Sequence, residues 1–181
     1  LQTVYGMLQL NKIREAIEYI SSLNNDLSNL DCNRCNHENS ILDSLLISKE
    51  EVASNKEIKF VYQVELGIKD INLSLNKIFR VVSNLIDNAL EAVEDYDEEA
   101  KVKVIGTNLK DKYILSVYNN GAIISSDLLT QIFEPGFSTK GLNRGYGLYI
   151  IKSLVEKSGG RLEVRSEKDF GTKFICSFKK I

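Results

Sequence analysis

Asn84 and Asn88 stand four residues apart in Ser83-Asn84-Leu85-Ile86-Asp87-Asn88-Ala89-Leu90-Glu91-Ala92. On a helix that spacing places both amides on one face, a turn apart, while Leu85, Ile86, Ala89 and Leu90 face a core. An amide oxygen there can join the octahedral shell of a phosphate-bound Mg²⁺. The plainer alternative is a pair of solvent-facing asparagines. Further on, Asn119-Asn120-Gly121-Ala122-Ile123-Ile124 follows a strand-like run. A side-chain amide at a strand end can meet a ligand edge, and an adjacent glycine lets a flat ring approach the backbone. A third block runs from Ile132-Phe133-Glu134-Pro135-Gly136 through Phe137-Ser138-Thr139-Lys140 to Gly141-Leu142-Asn143-Arg144-Gly145-Tyr146-Gly147-Leu148. A glycine-rich turn opening a helix offers backbone N–H groups and the positive end of the helix dipole to phosphate. Lys140 and Arg144 add positive charge where a triphosphate would lie, and a β-branched residue in place of Gly147 is expected to weaken phosphate contacts through the backbone.

Each generic motif fails when taken singly. Gly136 to Gly141 has the first spacing of a P-loop but continues Leu142-Asn143, and Gly145-Tyr146-Gly147 lacks the third glycine of a dinucleotide fingerprint. Asp169-Phe170-Gly171 spells the protein-kinase magnesium triplet without a His-Arg-Asp loop, and reads as a hairpin turn. His37, the single histidine, lies in a polar stretch with no nucleophile elbow. With Cys32 and Cys35 it forms a metal-like cluster, but a structural zinc site wants a fourth ligand and Cys176 sits far off in a strand-like run, so a reduced loop is expected.

The elements that must position these blocks follow from periodicity. Apolar residues at helical spacing in Val4–Leu10 and Ile13–Leu30 suggest two helices joined at Asn11-Lys12, a hairpin that needs a second copy to bury its stripe. The Asn-, Asp- and Cys-rich stretch after Leu30 marks a boundary, and a helix over about 40–55 follows with Ile41, Leu45, Leu46 and Val52 on one side. A strand is expected at 58–64, and a long helix after a Ser74 cap. Two strands flank the Asn108–Lys112 turn, a short helix falls near 127–132, and a helix runs from Gly147 to Ser158, stopped by Gly159-Gly160. Strands at 161–166 and 173–178 close the order. Helices on one face of a largely antiparallel sheet make an α+β, two-layer sandwich. The expected division is 1–30 hairpin, 31–57 connecting loop and helix, and 58–181 ligand-binding domain.

The 181 residues suffice for one domain with an appendage, and 43% hydrophobic and 27% charged content excludes disordered or low-complexity chains. A net charge of −2 gives no basic excess for nucleic acid. No apolar run approaches a membrane span and no leader precedes Leu1, so a cytoplasmic chain without membrane contact is expected. Because it opens at Leu1 inside a helical pattern, it is expected to be part of something longer.

Taken in order, the blocks resemble the N, G1, F and G2 boxes of the ATP-binding domain shared by sensor histidine kinases, DNA gyrase, Hsp90 and MutL, over about Ile58 to Ile181. Phe133–Lys140 joined to Arg144-Gly145-Tyr146-Gly147-Leu148 is similar to the histidine-kinase branch, and Leu1–Leu10 looks like the stretch after the phosphoacceptor histidine of Spo0B-type citrate and fumarate sensors. The resemblance implies a Bergerat-type fold, ATP and Mg²⁺ as cofactors, and Asn88 as the metal ligand. It places Asn84 at the catalytic position where hydrolytic relatives carry a glutamate base, a role an amide cannot fill. Asn119 falls at the aspartate that receives the adenine amino group, and Ile123 replaces the second G1 glycine. Nucleotide contacts are implied at Asn84, Asn88, Asn119, Gly121, Ile124, Lys140, Arg144, Gly145, Tyr146, Gly147, Leu148 and Thr172. Lys140 to Leu148 would form the lid, and Thr172 would lie near the phosphates. The acceptor histidine would precede Leu1, so this chain is expected to bind nucleotide without autophosphorylating at the usual site. In the parent, anchored in the bacterial inner membrane, the hairpin would make a homodimer and a response-regulator receiver domain would take the phosphoryl group. Two rivals are a scaffold that has lost ATP, as Spo0B is understood to be, and a hydrolytic ATPase, for which Asn84 is the wrong residue.

Overall fold

The computed structural model describes residues 40–94, 96, 99–138, 145–168 and 170–181, which lie in the unit Glu38–Ile181. The hairpin expected over residues 1–30 lies outside the described residues, as do Cys32, Cys35 and His37.

Chain order is α1 (Ser40–Ser54), β1 (Lys59–Val64), a 3₁₀ turn (Ile68–Asp70), α2 (Leu75–Glu91), β2 (Lys101–Asn108), β3 (Lys112–Asn119), α3 (Ser126–Leu129), α4 (Gly147–Lys157), β4 (Arg161–Glu167) and β5 (Gly171–Lys179). The five strands form one sheet in the order β1-β2-β3-β5-β4. Only β1 and β2 pair in parallel, with α2 crossing between them; the other three ladders are antiparallel. Both α2 and α4 lie on the sheet and against each other, so the expected α+β two-layer sandwich forms.

Helix α2 is the spine of that layer because its apolar residues keep a strict three-then-one rhythm. Ile78, Val81, Val82, Leu85, Ile86, Ala89 and Leu90 are all buried, leaving Asn84, Asp87, Asn88 and Glu91 to the other side. Ser74 caps it in extended conformation, its carbonyl accepting from Ile78 N–H at 3.0 Å. Alternation in β2 turns Val102 and Val104 inward, and β3 and β5 add Tyr113, Leu115, Val117, Phe174, Cys176 and Phe178. Burial pushes the Cys176 thiol up to about 12, so it stays protonated and serves as a small apolar filler.

Helix α1 buries Leu42, Leu45, Leu46 and Ala53 in the same core, whereas Val52, expected on that side, points out at 41% exposure. The apolar phase runs through Leu42 and Ala53 instead. Lys49 ties α1 to α2 through Asp87 at 2.5 Å. At the other end of the α-layer, α4 stops where Gly159 takes φ +76° and Gly160 N–H reaches back to the Val155 carbonyl at 3.0 Å.

Candidate nucleotide site

A cleft of about 760 Å³ opens between the polar side of α2, the end of β3 and the start of α4. Asn84, Asp87, Asn88 and Glu91 form the α2 wall. Ile124, Leu128, Ile132, Phe137, Leu148 and Phe174 make much of the remainder apolar. Asn119 and Thr172, each 2% exposed, are the buried polar residues among the described lining. A mainly apolar cleft with few convergent polar groups suits a flat ring carrying a polar tail.

Asn84 donates from Nδ2 to the Arg80 carbonyl at 2.7 Å, which holds its amide along the helix. Asn88 differs: its Nδ2 is buried and has no hydrogen-bond partner. An orphaned amide of this kind costs free energy unless a ligand completes it. A half-turn of the amide exchanges nitrogen for oxygen, so the same position can present an acceptor to a cation.

The loop after β3 is held against the end of α2. Ala122 N–H donates to the Ala92 carbonyl at 3.1 Å, and a Cβ on Gly121 would come within 2.0 Å of that same oxygen. Gly121 N–H donates to Asn119 Oδ1 at 3.1 Å, fixing the amide. Ile124 N–H donates to Ser166 Oγ at 2.8 Å, and Ser166 Oγ lies 2.7 Å from Thr172 Oγ1. Thr172 pairs across the ladder with Asn119. The β3–β5 register puts Thr172 beside Asn119 on the cleft floor.

Ser166 was not anticipated from sequence, since a lone serine in an alternating strand carries no signal until register brings it to Thr172. Replacing Ser166 with Ala leaves Ile124 N–H without an acceptor. A Tm lower by about 5 °C is expected, with Ser166→Thr restoring it in thermal scans.

Gly145 takes φ +97°, and a Cβ there would lie 2.3 Å from the Phe137 carbonyl oxygen. Its own carbonyl accepts from Gly136 N–H at 3.2 Å, closing the chain on either side of residues 139–144. Gly147 has room to spare, because a Cβ would meet only Asn84 Oδ1, at 3.6 Å. The demand for glycine falls on 145. Tyr146 and Ile123 line the cleft at 56% and 53% exposure, which puts Ile123 at its mouth. Lys140 and Arg144 lie outside the described residues. No group of three or more His, Cys, Asp or Glu able to hold a metal occurs among the described residues.

Residues 74–180 match the family model for histidine kinase-, DNA gyrase B- and HSP90-like ATPases. The chain belongs to this ATPase family. Within it, the chain is an ATPase domain of the sensor histidine kinase type. It is 28% identical over 185 residues to the sensor protein CitS of Bacillus subtilis, and 29% identical over 189 residues to a probable C4-dicarboxylate sensor kinase of Halalkalibacterium halodurans. Those alignments cover 99% of this chain but 34% and 35% of the relatives, so the chain spans about a third of their length. The catalytic domain of histidine kinase ThkA, in a nucleotide-free form, superposes with a TM-score of 0.67 at 28% identity, covering 78% of this chain and 91% of that one. The mycobacterial sensor kinase MprB shares the fold at 22% identity and a TM-score of 0.60. The two-layer ATPase sandwich and the use of ATP accord with the family. No helix among the described residues is long and apolar enough to cross a membrane.

Proposed function

We propose that this chain supplies Mg·ATP to a two-component phosphotransfer: its parent moves the γ-phosphoryl group to a protein histidine other than His37, and then to an aspartate of a response-regulator receiver domain. The parent is a homodimer through the helices of residues 1–30 and is anchored in the bacterial inner membrane. Residues 58–181 form the nucleotide-binding domain, with α1 packed on it.

The observation that carries this reading is the unpartnered buried amide of Asn88 on the wall of a cleft whose floor is Asn119 and Thr172. Turned over, that amide would offer its oxygen to a cation, so Asn88 would hold the Mg²⁺, which when bound neutralises phosphate charge. The chain's own groups do the rest. The apolar walls hold the base, and the N–H groups from Gly145 to Leu148 open α4 toward the phosphates. Asn84 favours transfer over hydrolysis: its amide has no useful basicity and its nitrogen is already committed to Arg80, so it cannot deprotonate water. Lys140 and Arg144 would complete the lid.

Calorimetric titration with AMP-PNP, with and without Mg²⁺, is the test. Magnesium-dependent binding is expected; absence of binding overturns the reading in favour of a docking scaffold.

A further inference from the structure

Alternation along the strands sends every second side chain away from the helices. Val102, Val104, Tyr113, Leu115, Phe174 and Cys176 go inward to the core that α1, α2 and α4 share, so their chain neighbours face the other way. Register aligns those neighbours into rows across the sheet. One row runs Val61, Lys103, Tyr118, Lys173 and Arg165 through all five strands. Phe170, 43% exposed, lays its ring 5.4 Å from that of Tyr118. In the next row Ile105 and Ile175 flank Ser116, and Ile114 stands one row further on. Beyond it Lys112 lies opposite Lys179. An apolar centre thus sits between two lines of cations, about 20 Å apart along β3 at the usual rise per residue. Glu163 and Glu167 are the only acids among the outward strand residues, and Arg161 already pairs with Glu163 at 3.3 Å. Among the described residues, none forms an ion pair with Lys103, Lys173 or Arg165.

The chain as a whole has a net charge of −2, so this positive side is a local concentration and not a share of a basic whole. An apolar centre within a charged rim is the anatomy of a protein interface. We propose that the outward side of the sheet docks a partner protein through an acidic amphipathic helix, its apolar stripe on Ile105, Ile114 and Ile175 and its carboxylates on the lysines to either side. A helix is about 10 Å across, so the lysine arms can close on it from both lines. The carboxylates steer the approach and fix the register, while the isoleucines hold the stripe. Because the nucleotide cleft opens on the helical side of the sheet, the two ligands would not compete.

The experiment titrates this chain, by fluorescence anisotropy, with a labelled helical peptide of leucine and glutamate in amphipathic repeat and with a counterpart carrying lysine for glutamate. The acidic peptide is expected to bind about ten-fold more tightly or better, to weaken as salt rises, and to be indifferent to excess AMP-PNP. Lys103→Glu combined with Lys173→Glu should cost about ten-fold or more of that affinity. The neutral pair Lys103→Gln and Lys173→Gln, which repels nothing, should lose part of it, and thermal scans of both variants check that the sheet is intact. Equal affinity for the two peptides, no binding, competition by AMP-PNP, or affinity unchanged in both variants overturns the proposal. So does co-sedimentation with phosphatidylglycerol vesicles, or self-association, that is lost in these variants while the peptide fails to bind: the first assigns the face to a lipid surface and the second to another copy of the chain.

Discussion

Replacing Asn88 with Ala is expected to cost about 100-fold in magnesium-dependent nucleotide affinity while leaving thermal stability unchanged or slightly raised. These two effects separate because of how Asn88 sits. Its amide has a buried atom with no protein partner, so removing it breaks no described side-chain hydrogen bond and relieves a desolvated group. Alanine is also the better helix former at an interior position of α2. What is lost is the amide oxygen that a cation would use. Calorimetry with Mg²⁺ and with a chelator reads the effect: the affinities of the two proteins should converge when the metal is withdrawn. An Asn88→Ala protein that keeps its full magnesium dependence removes the metal assignment.

A second large effect is expected at Gly121. A methyl group there would lie 2.0 Å from the Ala92 oxygen and 2.7 Å from its carbon, both backbone atoms at the end of α2. Neither can yield without pulling Ala122 off its hydrogen bond to Ala92 and shifting the N–H that fixes Asn119. Overpacking of this kind costs about 3 kcal/mol, or a Tm lower by about 10 °C, and nucleotide affinity should fall with it. Gly147→Ala is the contrast, because its added carbon meets only Asn84 Oδ1 at ordinary contact distance, and stability close to that of the unaltered chain is expected. A Gly121→Ala protein with unchanged melting would mean that the loop does not rest on α2 in this way.

Where one element carries its own pattern, the sequence was legible. The α2 rhythm from Ile78 to Leu90, the β2–β3 hairpin and the Gly159 stop of α4 follow from spacing and turn residues alone. The pairing of Asn84 with Asn88 on one side of a helix needed no tertiary information either. Relations between distant segments were not legible. That Ser166 reaches Ile124 and Thr172, and that Thr172 belongs beside Asn119, depends on which residues of β3, β4 and β5 lie opposite each other. In α1 apolar residues lie on both sides of the helix, so spacing alone leaves its buried phase ambiguous, and Val52 falls on the exposed side. Among glycines, letters alone do not separate a residue held at φ +97° from one with room to spare, so Gly145 and Gly147 looked equivalent.

The hydrogen bond from Gly136 N–H to the Gly145 carbonyl bears on how the chain tolerates change. It joins the backbone at positions 136 and 145, one on each side of residues 139–144. Lengthening a connection between fixed anchors costs only about 0.6 kcal/mol for each doubling. Insertions and exchanges of sequence between positions 138 and 145 should therefore leave this junction intact, so homologous domains can trade the stretch while α2, β3 and β5 keep the same seat.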